Sequence, residues 1–497
     1  MEGTLMDAKL KVTPRRHVRD VLCKIWKGIT VEPVLILFML PFHMSALTIQ
    51  NLSLEKSCRV NLNMSDSVCD AIHQRDRSGY NDDDEVAVQK VVAAAYVWKF
   101  VVYGVFPAIL LPFLGSWSDR NKTRKILLLL PIIGELITNI AFIFCTYYFY
   151  ELPMEVNTLV EVLPTAITGG SNMLFLGVFT HVSAISSSED RTFRIGIVHT
   201  LFCICVTIGS ALSGVIYKGI GFYGVFSLSL VLYALAGLYA YYKVKEEAPI
   251  EKKTRTKYEL MKDIVNIKKT LSTFHFLIQP NRGIQRKQIF VIVLLAIFVL
   301  GPFAGEGALL YLYTRLKFNW NEIDCSIYFG YTSVAHLTGN FAAILIFSKW
   351  LKFDDAVLGA ISSVSKICGG IVFMLAEKSF VFYIGALIEA FNGTSFVASR
   401  SIITKLVEEK DLGKVNSLFG IAESLTILLY VPMYSALYKA TLNIFSASFY
   451  VLGITLTIPA ILLYLWLYSK RNERFVEEDF KFPESRELFS PENRNRD

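Results

Sequence analysis

Apolar residues run along this chain in long unbroken blocks. The first is Val31 to Ile49, and comparable blocks follow at about 89–114, 126–149, 158–183, 195–217 and 222–243. After a polar interval come six more, at about 288–315, 324–348, 354–376, 380–407, 413–438 and 443–468. About 20 apolar residues span the roughly 30 Å hydrocarbon layer of a bilayer, so each block is long enough to cross one. The runs lack strict alternation, and a backbone in lipid must satisfy its own hydrogen bonds, which selects helices over strands. The pattern predicts an all-α integral membrane protein, with twelve transmembrane helices in two six-helix bundles.

Charge orients this scheme. The loop Gly115–Lys125 (GSWSDRNKTRK) carries Asp119, Arg120, Lys122, Arg124 and Lys125, and its basic excess marks the cytoplasmic face. Residues 1–30 are likewise basic and read as a cytoplasmic N-terminal segment ahead of a first helix, with no cleavable signal peptide evident. Residues 31–243 form the N-terminal bundle, 244–287 a basic cytoplasmic linker, 288–468 the C-terminal bundle and 469–497 a charged cytoplasmic tail. Loop 52–88 is acidic and falls outside with the sequons Asn51-Leu-Ser53 and Asn63-Met-Ser65, so Asn63 and Asn51 are the glycosylation candidates, Asn63 lying farther from the bilayer. Cys58, Cys69 and Cys325 fall on the same side as candidates for a disulfide whose pairing stays open; the other helical cysteines read as packing residues. The net charge of +7 is thus mostly topological and gives no argument for a nucleic-acid partner.

Several stretches resemble known families. G-x-W-S-D-R-x-x-x-R-K at 115–125 resembles the loop between the second and third helices of the major facilitator superfamily, although Lys122 and Thr123 stand where the usual pattern has a glycine and another arginine. Six helices, a basic linker and six more match that superfamily's architecture, which implies two bundles rocking about a midplane site. FSKWLKFDD at 347–355 sits where a degraded second copy of the loop would fall. R-T-F-R at 191–194, ITVEPVL at 29–35, EGALLYLYTRLKFNW at 306–320 and SRSIITKLVEEKDLGKVNSLFG at 399–420 resemble the proton-coupled folate transporter family, solute-carrier family 46. The resemblance implies carriers of folates, drug conjugates, bacterial cell-wall peptides or cyclic dinucleotides, several of them proton-driven. Membership does not select among these solutes.

The candidate site residues are charges where lipid should be. Arg400 leads, because a membrane arginine is expensive and its guanidinium binds carboxylates and phosphates; the resemblance implies a substrate and proton role, against a structural ion pair. Glu389 lies eleven residues before it and is expected on the same helix face. Glu306, between glycines and near Pro302, is expected to exchange protons from a kinked helix 7, with Glu135 and Glu423 as weaker candidates of the same kind. His181 and His199 stand where the implied family more often has acids, so protonation would add charge there instead of removing it. Asp119 and Arg124, with Arg191 and Arg194, are the expected cytoplasmic gate, and Glu32 beside Pro33 the expected cap of helix 1.

These residues read together as a secondary active transporter of an organic anion or peptide-like solute, with that solute, protons and the lipid bilayer as its partners. The rival is a transport-inactive sensor that retains the fold. No Ser-His-Asp arrangement or HExxH motif points to an enzyme, and no cofactor or metal site is expected. Plasma membrane and lysosomal membrane both fit, and Tyr258–Met261 matches a tyrosine-based sorting pattern.

Overall fold

A computed structural model describes residues 30–185, 188–244, 283–406 and 412–471, and these are helical nearly throughout. The basic linker, both termini and the Tyr258 motif lie almost wholly outside the described residues. The first half comprises α1 (Glu32–Met44), α2 (Ala46–Lys56), α3 (Asp66–Gln74), α4 (Asp82–Asn121), α5 (Lys125–Tyr147), α6 (Met154–Ile167), α7 (Gly170–Ile185) and α8 (Ser188–Lys243). The second comprises α9 (Gly283–Phe318), α10 (Glu322–Ala343), α11 (Asp355–Leu375), α12 (Ser379–Ile388), α13 (Gly393–Leu406), α14 (Leu412–Thr441) and α15 (Ser448–Ser469). Among the described residues nine helical segments are long and apolar enough to cross a membrane. One of them, Ile197–Lys243, has 47 residues and breaks at Gly221, whose φ of 65° and ψ of −170° a β-carbon would disfavour.

The helices are amphipathic in the inverse sense expected in lipid. On α5, Ile133, Ile137, Ile140 and Phe144 form one exposed apolar stripe, while Glu135, Thr138 and Asn139 are buried on the protein side. Proline inside α1, α4, α5, α9, α14 and α15 is tolerated because neighbouring helices re-satisfy the freed carbonyls. Within each half the helices pack side by side, and the halves meet where α4 lies along α14 and α8 along α10. The approach at the second seam is close: a β-carbon on Gly214 would stand 2.1 Å from the Glu322 carbonyl oxygen.

The segment expected as an open loop at 52–88 is mostly helix. The first transmembrane helix runs on as α2 and a wide turn to Asn61, α3 follows, and α4 begins at Asp82 under an Asn81 capping box. Apolar runs mark only the lipid-embedded part of a helix, and these turns fold on protein. Cys58 and Cys69 are disulfide-bonded and pin α3 to the end of the first helix, whereas Cys325 is a buried free thiol on α10. Asn51 is corrected as a glycosylation candidate: it is 1% exposed, and its amide is committed to Glu322 and Tyr311. Asn63 is exposed, at the bend between the first helix and α3.

The two loops expected to repeat do share backbone geometry. Lys122 and Lys352 both take left-handed conformations (φ 55° and 53°) where a long helix ends, and Asp354 then caps α11 by accepting from Ala356 N at 2.8 Å.

Candidate functional site

Among the described residues, buried or half-buried charge gathers in several groups inside the fold, three of which bear on the expected site. The first lies wholly in the C-terminal half. Lys366, projecting from the middle of α11, places its ammonium between Glu306 of α9 (2.5 Å) and Glu389 (2.7 Å), and all three side chains are buried. Glu389 opens a short 3-10 turn, Glu389–Phe391, between α12 and α13, and Asn392 Nδ2 donates to it at 2.8 Å. Ser362 of α11 stitches this break by donating to the Phe391 and Asn392 carbonyls at 2.7 and 2.8 Å. The site is closely walled: a β-carbon on Gly453 of α15 would sit 2.1 Å from Glu306 Oε1. With all three groups ionised, one cation between two anions carries a net charge of −1, an imbalance held inside the C-terminal half.

The second group faces the space between the halves. Arg400 Nη2 on α13 pairs with Glu423 Oε1 on α14 at 2.7 Å, and the guanidinium lies 4.8 Å over the Phe396 ring. Both side chains keep substantial exposure, 41% and 36%. His199, on α8 of the other half, is close enough to feel the Arg400 charge. The expectation that Glu389 and Arg400 share a face fails for a local reason: the 3-10 turn between them interrupts the helical phase, so Glu389 turns to α11 and Arg400 to α14.

The third group closes the seam on the side of α3. Glu85 of α4 takes a bidentate pair from Arg75 at 2.8 and 2.9 Å, and Arg315 of α9 approaches it at 3.4 Å and Glu322 at 3.6 Å. The guanidinium–carbonyl bonds cross between halves in both directions, Arg75 to the Arg315 carbonyl and Arg315 to the Ile72 carbonyl, each at 2.6 Å. Gln89 donates to the Leu312 carbonyl at 3.0 Å and accepts from the Tyr438 hydroxyl at 2.8 Å. Arg75, Glu85, Arg315 and Glu322 are all buried.

At the rim of this seal His73 Nδ1 meets Glu55 at 2.9 Å, and that hydrogen bond raises the imidazole above its ordinary range. The other groups facing it are Glu322, which also favours the charged form, Arg315, which opposes it, and the Tyr217 ring edge. A raised histidine contributes in full below its unfolded-state value, and its contribution fades as pH rises through the folded one. The protection factors of the α3 amides, taken relative to intrinsic exchange at each pH, are therefore expected to be higher at about pH 5 than at about pH 8, with His73→Gln removing the difference.

Glu135 is buried on α5 near Glu161 and Tyr233, and His181 is buried on α7. Glu32 opens α1, and its carboxylate accepts from Thr30 N at 2.6 Å and Val31 N at 3.0 Å, the amides just ahead of the helix. Arg194 approaches that carboxylate at 3.8 Å, a contact within one half. The side chains of Asp119 and Arg191 lie outside the described residues, and Arg124 is half-buried ahead of α5. Among the described residues no cluster of His, Cys, Asp and Glu could hold a metal ion. Sequence reasoning passes over Lys366, Lys99 and Glu161, although a lysine inside an apolar run is itself a signal.

The fold and these membrane-buried charges define a polytopic membrane transporter. The family profile of the Major Facilitator Superfamily matches residues 89–388, and the chain belongs to that superfamily. Several of its relatives are members of solute-carrier family 46. It is 24% identical over 465 residues to a probable peptidoglycan muropeptide transporter of Drosophila melanogaster, covering 91% of this chain and 88% of the relative. It is also 24% identical to a lysosomal proton-coupled steroid conjugate and bile acid symporter of Gallus gallus, covering 89% of this chain and 94% of that one. Among solved structures, the human organic anion transporter MFSD10 shares the fold with a TM-score of 0.56 at 14% identity, over 87% of this chain and 97% of that one.

Proposed function

We propose that this transporter carries an organic anion or peptide-like solute (folate-like, muropeptide-like or a drug or steroid conjugate) together with protons, by alternating access. The observation that carries the reading is Arg400: a guanidinium paired with Glu423, partly exposed, whose charge reaches His199 of the other half. A solute carboxylate takes the place of Glu423 on Arg400, and the freed Glu423 accepts a proton. Glu306, Lys366 and Glu389 are the second proton-exchanging group, with Glu135, His181 and His199 along the pathway. Twelve crossings form two bundles that rock about this cleft. The sealed Arg75–Glu85–Arg315–Glu322 seam and the accessible Arg400 suit a carrier closed outside and open to the cytoplasm.

On this reading Asp119, Arg124, Arg191 and Arg194 close the cytoplasmic side in the opposite state. The termini are cytoplasmic, Asn63 carries the glycan, and the membrane is that of the lysosome or the cell surface. The test is uptake of radiolabelled folate, muramyl dipeptide and taurocholate by vesicles containing the full-length protein, at about pH 5.5 and about pH 7.5. Accumulation of one solute, faster at acid pH and lost in Arg400→Ala, is the expected result. Binding without accumulation identifies a sensor instead, and uptake indifferent to pH removes the proton.

A further inference from the structure

A second lysine–carboxylate pair is built into the N-terminal half, and none of the roles above uses it. Lys99 stands on α4, about 25 Å along the helix from Asp82 and about 33 Å from Asn121, a mid-membrane position. Its ammonium meets Glu161 Oε1 of α6 at 2.5 Å and lies over the rings of Tyr96 (4.8 Å) and Phe100 (5.3 Å). Tyr96 belongs to the core in which α4 meets Tyr430 and Tyr434 of α14, so the pair adjoins the seam between the halves. On α6 the exposed stripe is Leu159, Leu163 and Ile167. Glu161 is two residues from Leu163 and thus about 200° around the helix, away from lipid.

The pair differs from the sealed Lys366 triad in ways that bear on its role. Lys366 is clasped by two carboxylates and is 6% exposed, whereas Lys99 is 11% and Glu161 19% exposed, and one contact is described between them. The aromatic faces beside Lys99 attract a cation whichever anion it holds. A buried pair kept only to join two helices gains little over apolar packing, so its retention beside the cleft calls for another use.

We infer that Lys99 is an exchangeable anion site at which an acidic group of the transported solute replaces Glu161. The inference rests on the organic-anion reading and deepens it: with Arg400 in the other half, each bundle offers the solute's acidic groups one cation. The groups facing the displaced Glu161 are Tyr96, Lys99 and Tyr103 on α4 and Glu135 on α5.

The test uses benzoate, a minimal organic anion, so that the natural solute need not be known. Thermal stabilisation of the full-length protein in lipid nanodiscs is followed against benzoate concentration, with Arg400→Ala as the common background, the reference included, so that the other cation does not answer. In Glu161→Gln the competing carboxylate is gone, and half-saturation is expected at about tenfold lower benzoate than in the reference. Lys99→Gln is expected to lose the response, and the double variant, which removes the pair together, to melt like the reference and also lose it. In a background without free cysteines, Lys99→Cys is expected to react with a water-soluble anionic methanethiosulfonate. Equal benzoate responses in Glu161→Gln and Lys99→Gln, or a Lys99→Cys variant that stays unlabelled, overturn the inference. A benzoate response that follows Lys99, in a protein whose vesicles accumulate no organic anion, supports the site while the transport reading fails.

Discussion

Lys366→Met is expected to destabilise the protein by about 3–5 kcal/mol, the penalty for leaving buried charge without its partner. With the ammonium gone, the Glu306 and Glu389 carboxylates that converge on it at 2.5 and 2.7 Å face each other in a dry interior. Glu306→Gln should be far milder, about 1–3 kcal/mol, because Lys366 keeps Glu389 and the charge count becomes zero. Gly453→Ala should fall between the two, since its β-carbon would press on Glu306 Oε1 and push it off the lysine. The triple variant Glu306→Gln, Lys366→Met, Glu389→Gln removes all three charges together and is expected to recover most of the lost stability. Melting of the detergent-solubilised full-length protein, read by size-exclusion fluorescence, ranks the four. If Lys366→Met melts no lower than Glu306→Gln, the triad is not an ionised cluster and its part in proton exchange is lost. Uptake adds a second axis: Glu306→Gln, being folded, should move solute with reduced acid stimulation.

The class of protein is legible from apolar block length, because lipid burial imposes that length on every crossing. Glu306 and Glu389 are also legible, since an acid inside such a block is conspicuous wherever it points. Their meeting on Lys366 is not, for it depends on two helices and a 3-10 turn brought together from 60 and 23 residues away in sequence. Glu389 and Arg400 would share a face only on an unbroken helix, and the short 3-10 turn at Glu389–Phe391 has no Pro to announce it. Residues 52–88 mislead for the opposite reason. Their polarity suggests a loop, although a helix that leaves the bilayer and packs on protein needs no apolar run. Asn51 matches a sequon by its neighbours alone, and only the fold shows the amide spent on Glu322 and Tyr311.

That same buried seam yields the other large effect. Arg315→Met is expected to open the outer face, and the native thiol of Cys325 reports it. Arg315 binds the Tyr311 hydroxyl at 3.1 Å and the Ile72 carbonyl at 2.6 Å, and approaches Glu85 and Glu322. Removing it leaves Glu85 its bidentate partner Arg75 but leaves Glu322 with only neutral described partners, Asn51 and Tyr311, so the loss falls on the contacts that join the halves. A deficit of about 3 kcal/mol in the closed state multiplies the open population by roughly a hundredfold. Cys325 on α10 is fully buried beneath this network, so its alkylation by a membrane-impermeant maleimide added outside should accelerate by a similar factor. Gln89→Leu removes the bond to the Leu312 carbonyl and the acceptor of Tyr438 but no ionised partner, and should raise the rate by about tenfold. Glu322→Gln keeps a hydrogen-bonding side chain beside Asn51 and Tyr311 and should change it least. Because the Cys58–Cys69 disulfide holds α3 to the first helix in every variant, faster labelling would reflect parting of the halves and not loss of the cap. Unchanged labelling of a protein that still melts cooperatively would mean the four buried charges do not hold this seam shut.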